Sequence, residues 1–328
     1  MMLAAAAVTV ASLLLIGAAA DVPFIPLTSG TRMPAIACGT GGDNNASAAT
    51  TVGAALAAGF THIDTAHDYN DQAGVGRAIA GRARPQIFLT SKVPGCGVPT
   101  QGLMPPCREN TAKLVDEDLA LLATPYVDLM LIHFPPLGGC IKANCAHMQQ
   151  QWAALEEAYA AKKARAIGVS NYCKDCLKCV LQTAKVVPMV NQVQYHVGMG
   201  PEIPGGLLEF CVLHGIAVMA YSPLGGGHVL ASGSPFAPVG ARLAAKHNVS
   251  AAQVALAYVG QRRFEYGVEH VPIGLVTKSS NPAYLKEDLA LWSAFNLTAA
   301  DRQELDGLAA PACKAEAPGG CCTNTTET

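Results

Sequence analysis

Residues 128–133, Asp-Leu-Met-Leu-Ile-His, form a short apolar run that ends on an ionisable side chain. Two earlier runs have the same form: THID at 61–64 ends on Asp64, and IFLTS at 87–91 is followed by Lys92. Short apolar runs bounded by polar residues are typical of strands that are buried on both faces. Repetition of this pattern along the chain, more than any single run, indicates the fold.

The same kind of run recurs from one end of the chain to the other, with helix-like segments between the runs. The predicted strands are Ala35–Gly39, Thr61–Asp64, Ile87–Ser91, Asp128–His133, Ala166–Ser170, Met189–Gln194, Ala217–Tyr221 and Val271–Val276. The helix-like segments include Ala46–Ala58, Asn110–Leu122, Gln150–Lys163 and Pro204–His214. Strands that alternate with helices predict right-handed crossovers and a parallel sheet. Eight such units are the number in a closed (β/α)8 TIM barrel, and an open, doubly wound sheet is the competing architecture.

Two segments lie outside the repeat. Phe24–Leu27 and Met33–Ile36 flank a polar turn, which predicts a β-hairpin before the first barrel strand. Thr298–Ala309 predicts an added helix, with Thr298 at its N-cap and Asp301 in its first turn. The predicted fold class is therefore α/β, a (β/α)8 TIM barrel with an N-terminal β-hairpin and an added C-terminal helix.

The charge of the chain argues against a nucleic-acid partner. Its 328 residues carry a net charge of −2, only 14% are charged, and the Lys and Arg residues form no basic stripe. A chain of this length can bury a large core. We predict a signal peptide at 1–20, a barrel domain at 21–310 and a Cys-containing tail at 311–328.

The N-terminus predicts export. Residues 3–20, LAAAAVTVASLLLIGAAA, contain no charge, and Ala18 and Ala20 occupy the small positions before a cleavage site at Asp21. We expect the secretory pathway, lumenal or secreted, with no stable membrane insertion after cleavage. An uncleaved membrane anchor is the alternative, because 18 residues barely span a bilayer. Imaging a tagged full-length chain distinguishes the two.

Twelve cysteines and four N-glycosylation sequons fit this export prediction. Cys38 and Cys211 fall in apolar surroundings and are predicted to be buried thiols. An iron–sulfur run from Cys173 would need a further cysteine at position 183, which is Thr183. The cysteines predicted in loops or in the tail are Cys96, Cys107, Cys140, Cys145, Cys173, Cys176, Cys179, Cys313, Cys321 and Cys322.

Four ionisable residues are predicted at the carboxyl ends of three consecutive strands: Asp64 and Tyr69, then Lys92, then His133. Each alone is ordinarily a helix cap or a solvated side chain, but together they lie where a barrel holds its active site. Free tyrosine titrates near ~10. A nearby Lys cation would lower that pKa, Asp64 would hold the Lys, and His133 would orient a carbonyl oxygen. This arrangement predicts reduction of a carbonyl or oxidation of an alcohol.

The residues around this group permit other interpretations. Gly74-Val75-Gly76 suggests a nucleotide loop, but the third glycine that this fingerprint needs is replaced by Ile79. The segment is better interpreted as a helix in which Gly76 permits close packing. His67 and Asp68 are interpreted as loop residues that border the barrel mouth. A metal-dependent hydrolase is a further alternative, which the lack of His-x-His in the first strand disfavours.

Several ordered motifs resemble the aldo-keto reductases, over nearly the whole chain from about Pro26 to about Asp306. They are Gly59–Ala66, Asp128–Pro135, Gly168–Tyr172 and Asn191–His196. The resemblance implies a (β/α)8 barrel that transfers hydride between a nicotinamide cofactor and a carbonyl. It also implies that Asp64, Tyr69, Lys92 and His133 are catalytic, with Tyr69 as the general acid and base.

The resemblance further implies a set of cofactor contacts. Ser170, Asn171 and Gln192 would hold the nicotinamide amide, and Tyr221 would stack beneath the ring. Ser222, Pro223 and Leu224 would begin the loop over the pyrophosphate, Lys278 and Ser279 would meet the adenosine phosphate, and Glu287 and Asp288 would hold the adenine end. Gly39, Thr40 and Asp64 complete the implied contacts.

Three departures from the family pattern are visible. Tyr284 replaces the usual Arg at the 2′-phosphate, so NADPH is the expected cofactor with NADH possible. Gly41 replaces the usual Trp, which should widen the substrate pocket. A disulfide between Cys96 and Cys107 would stiffen a loop at the substrate mouth.

The predicted function is NAD(P)H-dependent reduction of aldehydes or ketones, of the alcohol dehydrogenase (NADP+) or aldehyde reductase type. The expected partner is a small-molecule carbonyl substrate, and the chain is expected to be a monomer. The alternative function is a non-catalytic barrel that binds cofactor as a sensor, subunit or structural protein.

Overall fold

The barrel strands consist almost entirely of buried residues, because each lies between a packed interior and a surrounding layer of helices. A computed structural model describes residues 22–97, 104–136, 139–199, 206–262 and 273–308. The barrel strands are β3 (Ile36–Gly39), β4 (His62–Asp64), β5 (Phe88–Val93), β6 (Leu129–Ile132), β7 (Ile167–Ser170), β8 (Val190–Gln194), β9 (Ala217–Tyr221) and β10 (Gly274–Thr277).

These eight strands are parallel and neighbours in chain order, and β10 pairs with β3 to close the barrel. The (β/α)8 prediction is confirmed, and the open sheet is wrong. The hairpin is confirmed as well, because β1 (Phe24–Pro26) pairs antiparallel with β2 (Arg32–Pro34). Parallel closure directs all eight carboxyl ends to one face, where the predicted chemistry collects.

The helices pack outside the barrel. They are α1 (Asn45–Ala58), α2 (Gln72–Ile79), α3 (Cys107–Leu121), α4 (Cys145–Ala160), α5 (Lys174–Leu181), α6 (Leu207–Leu213), α7 (Phe236–His247), α8 (Ala251–Gly260), α9 (Pro282–Leu289) and α10 (Ala299–Asp306). Capping boxes at Asn44, Ser250 and Thr298 start α1, α8 and α10. The predicted Thr298 cap and its partner Asp301 are confirmed, although α10 ends at Asp306.

Two helices begin earlier than the sequence pattern indicates, α3 at Cys107 and α4 at Cys145. Each extra first turn starts on a cysteine that forms a disulfide bond with another part of the chain. Apolar periodicity does not predict such a bond. Among the residues that the structure describes, the disulfides are Cys96–Cys107, Cys140–Cys176 and Cys145–Cys179. The hypothesis of a Cys96–Cys107 bond is confirmed.

The other two of these disulfides join α5 to the segment before α4, through Cys140, and to the first residue of α4, Cys145. Cys176 and Cys179 lie inside α5, so their predicted location in a loop is wrong. Cys38 and Cys211 are buried as predicted, and burial raises the pKa of the Cys38 thiol to about 12. The predicted signal peptide at 1–20 and tail at 311–328 lie outside the described residues and stay predictions. Within the ranges given above, no helix has the length and apolarity needed to cross a membrane.

The glycines of α2 serve packing, not nucleotide binding. Val75 and Ile79 are buried against the barrel. A Cβ at Gly74 would lie 2.1 Å from the carbonyl oxygen of Asn45, and one at Gly76 would lie 2.8 Å from that of Leu122. Helix α2 therefore approaches the backbone of its neighbours more closely than any side chain would allow.

Replacing Gly74 with Ala is expected to lower the free energy of unfolding by about 1–3 kcal/mol, because backbone must move to relieve the overlap. Gly53 in α1 is the matched control, since a Cβ there would meet nothing within 4 Å. Gly53→Ala should be neutral or stabilise by roughly 0.5–1 kcal/mol. Urea unfolding of the two variants measures the difference, and equal stabilities would contradict the packing argument.

Candidate active site

The carboxyl ends of three neighbouring strands bring the predicted catalytic residues together. Asp64 is the last residue of β4, Lys92 lies near the end of β5, and His133 follows β6 directly. Tyr69 ends a 3-10 turn, His67–Tyr69, that follows β4. Its ring centroid lies 5.2 Å from Lys92 Nζ and 5.4 Å from the centroid of the His133 ring.

Lys92 and Asp64 form a buried ion pair, with the lysine side chain 0% exposed. Lys92 Nζ also donates to the backbone oxygen of Thr65 at 3.0 Å, and Asp64 Oδ2 accepts from Gln192 Nε2 at 2.8 Å. Burial lowers the pKa of Lys92, but the charge and hydrogen bond of Asp64, together with Tyr69 and Asp68, outweigh burial and leave that pKa above its usual value. The site therefore holds a permanent cation beside the phenol.

The phenol of Tyr69 behaves differently from the sequence expectation. Burial raises its pKa, and the Lys92 cation opposes this without reversing it, so the pKa lies above the usual value of tyrosine. The expectation that lysine lowers the pKa of Tyr69 is therefore wrong for the net shift. Removal from water destabilises the phenolate more than the Lys92 cation stabilises it. At neutral pH Tyr69 retains its proton and is available as an acid.

Asp68 was interpreted as a residue bordering the mouth, but the structure gives it a direct partner. His133 Nδ1 lies 2.7 Å from Asp68 Oδ1, and both residues line the cavity described below. No sequence spacing relates two residues 65 positions apart, so only the fold reveals this contact. His67 takes a different partner, the buried Asp118, with Nδ1 2.7 Å from Oδ1.

A cavity of about 1060 Å³ opens at this end of the barrel. It is large enough for a dinucleotide cofactor and a small substrate. Thr40 and Ser170 are buried and, among the described residues, are not part of the lining. The other predicted cofactor contacts all line it: Gly39, Asp64, Asn171, Gln192, Tyr221, Ser222, Pro223, Leu224, Lys278, Ser279, Glu287 and Asp288.

One end of the cavity carries a connected polar network. Tyr221 Oη donates to Asn171 Oδ1 at 2.8 Å, and Asn171 Nδ2 donates to the backbone oxygen of His133 at 3.0 Å. Ser170 Oγ donates to the backbone oxygen of Gln192 at 2.8 Å. Asn171 and Ser222 have φ of 61° and 49°, a left-handed conformation that is costly for residues other than glycine. Strained backbone of this kind concentrates at sites where geometry matters for binding.

Charged residues also line the cavity. Lys278 Nζ lies 3.0 Å from Asp43 Oδ1 and 2.8 Å from the backbone oxygen of Gly41. Tyr284 is 58% exposed, and burial raises the pKa of Asp288 to about 6. The amide side chains and the lysine of the lining fit the nicotinamide and the adenosine phosphate of a dinucleotide. Ser250, Gly226 and Gly227 also line the cavity, and sequence reasoning missed them.

Gly41 borders the phenol directly. A Cβ added there would lie 3.3 Å from Tyr69 Cζ and 3.5 Å from the phenol oxygen. Any larger side chain at this position would therefore occupy the space beside the phenol oxygen. Gly41 and Tyr69 both line the cavity.

Comparisons with known proteins agree with this geometry. The model of the aldo/keto reductase family matches residues 28–310. A 9,11-endoperoxide prostaglandin H2 reductase of Trypanosoma cruzi is 34% identical over 287 residues, which cover 87% of this chain and 90% of the relative. The crystal structure of an aldo/keto reductase from Brucella melitensis has a TM-score of 0.72 at 31% identity, and the match covers 88% of this chain and 99% of that one.

A crystal structure of a variant of Gox0644 in complex with NADPH has a TM-score of 0.73 at 28% identity, and the match covers 90% of this chain and 97% of that one. The closed parallel barrel, the four ionisable residues at its carboxyl face and these matches over nearly the full length lead to one conclusion. This chain is a member of the aldo/keto reductase family.

Proposed function

We propose that the protein reduces aldehydes or ketones to alcohols with NADPH, an activity of the alcohol dehydrogenase (NADP+) or aldehyde reductase type. The observation that carries this proposal is the position of the protonated Tyr69 phenol, with a buried Lys92–Asp64 pair on one side and His133 on the other, at the mouth of a dinucleotide-sized cavity.

NADPH held in this cavity would supply the hydride that the carbonyl carbon receives. Tyr69 Oη gives its proton to the carbonyl oxygen, so that a neutral alcohol and a tyrosinate result. Lys92 stabilises the tyrosinate charge, because its ammonium is fixed in a dry site by Asp64. In its protonated form, His133 directs the carbonyl oxygen toward the phenol. In the reverse direction the tyrosinate takes the proton back.

Asn171 and Gln192 would orient the nicotinamide amide, and Tyr221 would support the ring. The absence of a side chain at Gly41, which lines the cavity beside Tyr69, supports substrates bulkier than short aldehydes. Incubating the purified chain with NADPH and a panel of aldehydes and ketones tests the proposal through the absorbance of the reduced nicotinamide. Binding of NADPH without turnover of any carbonyl, unchanged in Tyr69→Phe, would support the non-catalytic barrel instead.

Lys278 carries the predicted preference for NADPH. Losing one charge-assisted contact to the 2′-phosphate costs about 1.5–3 kcal/mol, so Lys278→Met is expected to raise the Kd for NADPH by about 10-fold or more. The Kd for NADH should change much less. Fluorescence titration with both cofactors measures this, and Lys286→Met on the exposed side of α9 is the control. Equal weakening of both cofactors would show that Lys278 does not read the 2′-phosphate.

A further inference from the structure

His133 is held by a carboxylate that the reaction described above does not use. Its Nδ1 lies 2.7 Å from Asp68 Oδ1, and the His133 side chain is only 7% exposed. Asp68 belongs to the same 3-10 turn as Tyr69, so a single short segment supplies both the phenol and the partner of the imidazole. The Phe134 ring stacks on the other side, 4.2 Å from the imidazole centroid.

The chemistry of this contact determines which nitrogen carries the proton. An ionised carboxylate can only accept hydrogen bonds. Burial raises the pKa of Asp68, but the hydrogen bond from His133, together with the electrostatic attraction of His133 and Lys92, outweighs burial and holds that pKa below its usual value. Asp68 is therefore ionised at neutral pH, and Nδ1 of His133 must donate to it.

The other ring nitrogen of His133, Nε2, is the one available to a substrate. Within the described ranges, the imidazole makes a single hydrogen bond, to Asp68, so Nε2 remains available to a ligand. His133 lines the cavity beside Tyr69, with the two rings in edge contact. With the proton fixed on Nδ1, a neutral imidazole presents only a lone pair at Nε2.

We propose that Asp68 is a positioning residue that fixes the proton of His133 on Nδ1, so that His133 can donate to a carbonyl oxygen only as the imidazolium. This proposal rests on the function proposed above. In the neutral form Nε2 accepts, and it then suits an alcohol hydroxyl, the substrate of the reverse reaction. The protonation state of His133 thus favours reduction when charged and oxidation when neutral.

Several groups shift the protonation equilibrium of His133. Burial and the Lys92 cation disfavour the imidazolium, whereas Asp68 and Asp64 favour it, and the resulting pKa of His133 lies below its usual value. The Tyr69 phenol, which also faces His133, stays neutral over the same pH range. Carbonyl reduction should therefore gain rate as pH falls toward the His133 pKa, and alcohol oxidation should gain rate as pH rises above it.

Nitrogen NMR of histidine-labelled protein tests the tautomer directly, with the His133 signals assigned from a His133→Gln spectrum. In the wild type we expect the neutral ring to carry its proton on Nδ1 and Nε2 to be the nitrogen that titrates. In Asp68→Asn the His133 pKa should fall by at least about 1, because the neighbouring negative charge is gone. His67→Gln removes the adjacent His67–Asp118 pair and should leave the His133 signals unchanged.

A neutral wild-type ring with its proton on Nε2 would overturn the proposal, as would a His133 pKa that is the same in Asp68→Asn. The wild-type spectrum decides the tautomer even if that variant does not fold. Because this measurement needs no substrate, it separates the two proposals. An Asp68-dependent tautomer in a protein that turns over no carbonyl would leave this inference standing and refute the proposed function.

The pH profiles of both directions give the functional test. In Asp68→Asn the limb of kcat/KM for reduction that reports His133 should move to lower pH by at least about one unit, or vanish if the asparagine amide donates to Nδ1 instead. The Kd for NADPH should not change. Identical profiles for the wild type and Asp68→Asn would overturn the proposal, since a merely structural residue would lower activity without moving the limb.

Discussion

Replacing Tyr69 with Phe is expected to lower kcat for carbonyl reduction by about 10²- to 10⁴-fold, the usual contribution of a positioned general acid. The substitution deletes only the phenol oxygen and keeps the ring that packs against His133. Lys92, Asp64 and the cofactor contacts remain in place, so the Kd for NADPH should stay within about a factor of two. Steady-state kinetics with the most active carbonyl of the panel, together with fluorescence titration of NADPH, measures both quantities.

Tyr126→Phe is the matched control, because Tyr126 precedes β6 at the opposite end of the barrel, where Arg84 stacks on its ring. It should keep wild-type kcat. Turnover by Tyr69→Phe at more than about a tenth of the wild-type rate would remove Tyr69 from the role of proton donor. His133 would then be the next group to test.

Lys92→Met is expected to lower the free energy of unfolding by about 3–5 kcal/mol, the cost of leaving one member of a buried ion pair without its partner. Asp64 is only 3% exposed in its side chain, and with Lys92 gone it keeps one strong donor, Gln192 Nε2. The variant should also lose catalytic rate, since no cation remains to stabilise the tyrosinate. Chemical denaturation monitored by circular dichroism gives the stability.

A double variant tests the buried Lys92–Asp64 pair further. Adding Asp64→Asn to Lys92→Met removes the orphaned charge, so the double variant should regain stability relative to Lys92→Met while staying inactive. Lys163→Met breaks an exposed ion pair with Asp116 and should cost little. A Lys92→Met protein as stable as Lys163→Met would show that the buried pair is not a stabilising unit.

The sequence was sufficient for the barrel and for the four ionisable residues at its mouth. Barrel strands are read locally, because a run such as Leu129–Ile132 is buried on both faces and therefore apolar throughout. A closed parallel barrel also places every strand end on one face, so Asp64, Lys92 and His133 could be brought together from their order alone. Gly76 of α2 was assigned to close packing on similar local grounds.

The sequence could not predict features that depend on which residues lie close together in the folded chain. Asp68 and His133 are 65 positions apart, and the partners of Cys140 and Cys145 depend on how α4 and the segment before it pack against α5. The pKa of Tyr69 illustrates the same point, because its net direction depends on how much water the fold removes from the phenol, a quantity that no residue type encodes. Apolar pattern and strand order determined the architecture and which ionisable groups meet at the barrel mouth. Burial and long-range contact, which exist only in the tertiary structure, decided their protonation and their partners.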